Sequence, residues 1–164
     1  MTAYIDEDKA CKIIICGSRT FDDFALLCRK MNKLTSKITR PLIAVSGTAK
    51  GADLLGEKWF WELPFERRLL MKRFHPDWDR LGKKAGVIRN QEMVDYADRL
   101  VAFWDGKSPG TKDCIERARK KGIKVKVIQY EQVPAEGKKT RGRGQTAPAD
   151  GRVQKRAKRN LFDA

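Results

Sequence analysis

Three times along this chain a β-branched or apolar run ends abruptly at small residues, and helical periodicity follows or is prepared. Lys12 to Cys16 (KIIIC) gives way to Gly17-Ser18-Arg19, and Pro41 to Ser46 (PLIAVS) to Gly47-Thr48-Ala49-Lys50-Gly51. Leu100 to Phe103 gives way to WDGKSPGT at 104–111. Between such runs, Phe24, Leu27, Met31, Leu34 and Ile38 recur at spacings of three and four, the period of an amphipathic helix. Ala52 to Trp61, Lys83 to Ala97 and Lys112 to Lys121 read the same way. Antiparallel neighbours can be joined by a tight turn, whereas parallel strands need a crossover of helix length. Alternating strands and helices therefore predict an α/β domain whose mainly parallel sheet is covered by helices.

The third strand is the least defined, lying within Arg68 to Phe74, and Lys124 to Ile128 (KVKVI) reads as a fifth strand at an edge, marked by its lysines. Thr20 or Asp22 is placed to cap the first helix, since a side-chain oxygen there accepts from an orphan N–H. His75-Pro76-Asp77-Trp78 reads as a loop, with His75 in a packing role. Trp59 and Trp61 are expected to pack on the sheet, while Trp78 and Trp104 are placed to meet a ligand or a second copy.

After Val133 the periodicity stops. Lys138, Lys139, Arg141, Arg143, Arg152, Lys155, Arg156, Lys158 and Arg159 face only Glu136, Asp150 and Asp163. Too little there is apolar to offset the entropy of ordering, so 134–164 is expected to be a disordered basic tail. The expected organisation is an extension over 1–10, a domain over 11–133 and this tail. The whole chain carries a net charge of +15, which suits a polyanionic partner. Leu161-Phe162 near the end is an apolar pair that a partner could take up. No stretch is long and apolar enough for a bilayer, and MTAYIDEDKACK lacks the basic and apolar regions of a signal peptide. Cys11, Cys16, Cys28 and Cys114 have no metal-ligand spacing, so free thiols, no metal and a soluble intracellular protein are expected.

Parallel sheets place ligands beyond the carboxyl ends of their strands. Three ends here carry glycine, a hydroxyl and a following helix: Gly17-Ser18-Arg19, Ser46 to Gly51, and Gly106 to Thr111. Backbone N–H groups and helix dipoles make such turns anion cradles. Neither GxxxxGK[ST] nor GxGxxG is present, which excludes the two commonest nucleotide turns.

GSRTF at 17–21, VSGTAKGAD at 45–53, GKKAGVIRNQEM at 82–93 and VAFWDGKSPGT at 101–111 with the following IERA resemble, in order, the YspA-type, cpYpsA-related branch of the SLOG superfamily. The family occurs in bacteria and phages, so the resemblance implies a cytoplasmic protein, in the host's cytoplasm where a phage carries it. It implies a Rossmann-like three-layer α/β/α domain over roughly 11 to 130 and a pocket for a nucleotide-derived ligand. Arg89 in RNQEM matches the phosphate-binding arginine of LOG phosphoribohydrolases, which are similar, and Asn90 could read a base or ribose edge. The expected site is Ser18, Arg19, Ser46, Gly47, Gly51, Asp53, Arg89, Asn90, Ser108, Gly110 and Thr111. No cofactor is implied, and LOG-like proteins commonly dimerise.

LOG enzymes cleave an N-glycosidic bond with a glutamate in PGGxGTxxE; here SPGTKDCIE puts Cys114 at that place. Asp53, Asp113 and Glu116 are the acids left as candidates, and the departure weighs against hydrolysis because a carboxylate one helical position away points elsewhere. The alternative is a single-strand nucleic-acid module, as a likeness to DprA suggests, with the basic core and tail tracking phosphates.

Overall fold

The computed structural model describes residues 6–132; the tail over 134–164, with its basic cluster and Leu161-Phe162, lies outside them. Five strands, β1 (Cys11–Gly17), β2 (Leu42–Ser46), β3 (Arg68–Arg73), β4 (Arg99–Trp104) and β5 (Lys124–Gln129), form one sheet in the order β3-β2-β1-β4-β5. Every pairing is parallel. The chain moves outward from β1 through β2 to β3, then returns to the other side of β1 with β4. Strand order therefore reverses between β1 and β4, and a crevice opens there beyond their carboxyl ends.

The helices are α1 (Phe24–Thr35), α2 (Ala52–Glu62), α3 (Trp78–Leu81), α4 (Ala85–Tyr96) and α5 (Pro109–Lys121). None of the described helices is long and apolar enough to cross a membrane. The apolar run of β1 is continuous because helices cover both sheet faces. Ile13 and Ile15 pack with Leu27 and Met31 of α1 and Trp59 and Phe60 of α2. Ile14 and Cys16 pack with Met93 and Val94 of α4 and Cys114 and Ile115 of α5. Each fully buried aliphatic contributes about 1.5–3 kcal/mol relative to exposure. β5 is an edge, as its lysines suggested, and Lys124 and Lys126 are exposed.

Several expectations are corrected. Asp23, not Thr20 or Asp22, caps α1, its carboxylate accepting from the Leu26 N–H at 2.8 Å. Phe21 is buried and its N–H bonds to the Ser18 carbonyl, so Thr20 and Asp22 fall in the turn ahead of the cap. The expected helix from Lys83 starts at Ala85, and Trp78–Leu81 forms its own short helix, capped by Asp77. The buried stripe of α4 is Ala85, Asn90, Met93 and Val94. Pro109 opens α5, three residues earlier than expected; its missing N–H costs nothing at a first helical position. Trp61 is exposed beside the Arg68 guanidinium, since Trp59 and Phe60 take the inward positions of α2.

Candidate functional site

The two serines of the first turns prove to be internal fittings. Ser18 is buried; its N–H donates to Phe103 O at 2.9 Å, and its carbonyl accepts from Phe21 N and Ala52 N. Its hydroxyl accepts from Asp105 N at 3.1 Å, so one residue ties β1, β4 and the start of α2 together. Ser46 is likewise buried, its hydroxyl accepting from Thr48 N at 3.0 Å and its carbonyl from Phe74 N. Gly51, with φ of 82°, brings α2 against this knot, where a Cβ would lie 2.3 Å from the Ser18 carbonyl oxygen. The first turn does not run into a helix N-terminus, because α1 starts only at Phe24 and has its own cap.

The N–H groups of Gly47, Thr48 and Ala49 in the second turn are already engaged. Asp53 is buried at the start of α2, and its Oδ2 accepts from Gly47 N at 3.0 Å and Ala49 N at 3.5 Å. Burial pushes its carboxyl up to about 6, against the pull of Arg89 and those two N–H groups. In the third turn Asp105 accepts from Lys107 N at 2.9 Å and Ser108 N at 2.8 Å. Desolvation opposes ionisation of Asp105, but these N–H groups and the Ser18 hydroxyl outweigh it and hold the carboxyl below its usual range. Trp104 donates from Nε1 to Ser108 O at 3.1 Å, bracing the turn. No side chain caps α5, which leaves the N–H groups of Gly110 and Thr111 in its first turn without a side-chain acceptor. The Ser108 and Thr111 hydroxyls bond each other at 3.1 Å beside them.

Arg89 and Asn90 reach the crevice from α4. Arg89 donates from Nη1 to the Gly47 carbonyl and from Nε to Asn90 Oδ1 at 3.1 Å. A Cβ at 47 would sit 2.4 Å from Arg89 Nη1, so a larger residue there displaces the guanidinium. Asn90 is buried and donates to Gly110 O at 3.2 Å and to Asp113 Oδ2 at 2.9 Å, joining α4 to α5. Asp113 is further held by Arg117 through both oxygens, at 3.0 and 2.9 Å, and Glu116 pairs outward with Lys112 at 3.8 Å. Of the three candidate acids, Asp53 alone lines the cavity.

That inner cavity has a volume of about 70 Å³, with Gly17, Asp53, Arg89, Ser108 and Thr111 among its walls and Cys16 and Cys114 in its lining. The Cys114 sulfur and burial push the Cys16 thiol well up, so it stays neutral. All four cysteines are free, and no group of three His, Cys, Asp or Glu side chains among the described residues could hold a metal. Arg19, Ala49 and Arg89 also line a second, outer cavity of about 430 Å³ with Thr48, Lys50, His75, Pro76 and Trp78. Trp78 is legible in the sequence as an aromatic near a turn; Thr48, Lys50 and His75 are not legible there as site residues. Their only signal was the run GTAKG and the HPDW cluster, which gain meaning when β2 and β3 lie side by side.

The family model of the YspA, cpYpsA-related SLOG family (YAcAr) matches residues 11–81. The gene 61 protein of Mycobacterium phage D29 is 37% identical over 116 residues, covering 70% of this chain and 93% of that protein. This chain belongs to the YspA, cpYpsA-related SLOG family. The YAcAr match runs from β1 through α3, so it takes in Ser18, Asp53, His75 and Trp78 and stops short of Arg89 and α5. Among solved structures, DNA processing protein A from Helicobacter pylori, described for its single-stranded DNA binding mode, is similar in fold to this YAcAr chain. The TM-score is 0.51 at 17% identity, over 77% of this chain and 68% of that one.

Proposed function

We propose that the crevice between β1 and β4 binds a phosphorylated, nucleotide-derived ligand and does not cleave it. The observation that carries this reading is the convergence of Arg19, Arg89 and the uncapped start of α5 on one cavity. Neither arginine has an ion-pair partner among the described residues. A guanidinium fork and free helix N–H groups are the chemistry that recognises a phosphate. Ser18, Ser46, Gly47, Gly51 and Asn90 shape this cradle, and Ser108, Gly110 and Thr111 supply its far wall.

Cleavage needs an acid or base within hydrogen-bond reach of the reacting atoms. Asp113 and Glu116 are engaged elsewhere, and Asp53 faces its own loop. Chromatography of nucleoside monophosphates incubated with wild type and with Arg89→Ala tests both halves. Intact nucleotides, with retention on the immobilised wild type only, are the expected result. Free base released by wild type alone would overturn the binding-only reading and point to Asp53.

One observation favours a second reading, binding of single-stranded nucleic acid. Residues 6–132 hold 27 Lys and Arg against 18 Asp and Glu, a net charge of +9 that does not depend on the tail. The Helicobacter pylori protein of similar fold binds single-stranded DNA. Binding of an oligothymidylate should then fall steeply with salt. Removal of 134–164 would weaken binding if Lys138, Lys139, Arg141, Arg143, Lys155, Arg156, Lys158 and Arg159 contribute phosphate contacts.

A further inference from the structure

We infer that the outer cavity is a nucleobase compartment, in which Trp78 stacks on the ring and the Thr48–His75 pair reads its edge. The inference rests on the phosphate reading of the inner cavity, and it assigns a ligand class: a nucleoside phosphate, as opposed to a sugar phosphate or a free anion.

Volume divides the labour first. A cavity of about 10–15 Å³ on the same basis holds one water, so the inner 70 Å³ has room for a phosphate-sized group and little more. The outer 430 Å³ lies within the usual range of small-molecule sites. Since Arg19, Ala49 and Arg89 line both, a ligand anchored by its phosphate would extend directly into the outer space.

The outer wall carries a bare indole. Trp78 is 48% exposed, and it is the first residue of its short helix. Asp77 caps that helix by accepting from Arg80 N at 3.1 Å, and Gly86 of α4 offers a surface on which even a Cβ would come within 3.3 Å of Trp78 Cη2. A fixed aromatic face with one side open to a cavity is a stacking platform, and stacking tolerates any base.

The same cavity wall holds a backbone outlier. Thr48 has φ of 59°, the only positive φ outside glycine among the described residues. A β-branched residue is strongly disfavoured in that region, and such strain persists where function requires it. Glycine would satisfy the turn at lower cost. Threonine adds a hydroxyl in the cavity wall, 3.4 Å from His75 Nδ1, while Ser46 holds the Thr48 N–H. Hydroxyl and imidazole together offer a donor and an acceptor, the two functions found on the edges of nucleobases.

The test is titration of the full chain with ribose 5-phosphate and with the adenosine, guanosine, cytidine and uridine 5′-monophosphates. Binding is followed by calorimetry in wild type, Thr48→Gly and Trp78→Ala, with thermal denaturation of each. At least one nucleotide is expected to bind wild type about tenfold or more tighter than ribose 5-phosphate, the scale of one stacked base. Thr48→Gly and Trp78→Ala should each erode that preference, keep ribose 5-phosphate affinity unchanged, and Thr48→Gly should show no loss of Tm. Equal affinity of wild type for nucleotides and sugar phosphate would overturn the inference and leave the phosphate site standing. So would a Thr48→Gly variant that keeps its discrimination but melts earlier, because threonine would then serve the fold alone. Binding of none of the five would remove the phosphate reading, and this one with it.

Discussion

Replacing Asp53 with asparagine removes the only acid in the inner cavity wall, and the consequence depends on pH in a direction that burial dictates. Desolvation raises the carboxyl from an ordinary 3.8 to about 6, despite Arg89 and the N–H groups of Ala49 and Gly47. The folded chain thus holds this proton more tightly than the unfolded chain. Between about pH 4 and 6 folding is coupled to proton uptake, so stability from this group is greatest below pH 4 and declines as pH rises through 6. At 1.36 kcal/mol per pH unit, a pKa moved from 3.8 to about 6 corresponds to about 3 kcal/mol, complete by pH 7. Asparagine does not titrate and keeps an oxygen for the Gly47 N–H. Subtracting one stability curve from the other cancels the titration of the remaining charges. Urea unfolding followed by tryptophan fluorescence should show Asp53→Asn gaining about 3 kcal/mol on wild type between pH 4 and 7. Parallel curves would refute the reasoning. A shift in favour of wild type would mean that Arg89 and the loop N–H groups outweigh burial.

Three further outcomes follow from the packing around the site. Gly51→Ala places a Cβ 2.3 Å from a backbone oxygen at φ of 82°, so thermal unfolding should report a loss of about 2 kcal/mol or more. Ser18→Ala leaves the Asp105 N–H without its acceptor and should cost about 1–3 kcal/mol in urea unfolding, with the α5 turn losing hydrogen-exchange protection. Trp59→Ala removes a buried ring and its 2.8 Å bond to Asn32 Oδ1, at about 3–5 kcal/mol, whereas Trp61→Ala, two residues on, should change stability by about 1 kcal/mol or less. Equal effects at the two tryptophans would contradict the orientation of α2.

Periodicity alone determines the α/β class, because a β-branched run that ends at glycine and a stripe at three- and four-residue spacing have few alternative readings. β1, β2 and β4, and the covered sheet they imply, were legible for that reason, as was Arg89 through the RNQEM stretch. Boundaries were less so: Pro109 looked like part of a turn, although proline is well suited to a first helical position. Local pattern also could not say which polar groups are free. Ser18, Ser46 and Asp53 look like ligand groups in their own turns, and only the meeting of β1, β4 and α2 shows that they satisfy neighbouring backbone. Asp113 is taken by Arg117 within its own helix and by Asn90 from another. The outer cavity is wholly tertiary: Thr48 and His75 lie 27 residues apart and become neighbours because β2 and β3 pair in parallel and release their loops at the same edge. Sequence specifies each turn's chemistry, but whether a donor meets a ligand or a neighbour is decided by what the fold brings within about 3 Å of it.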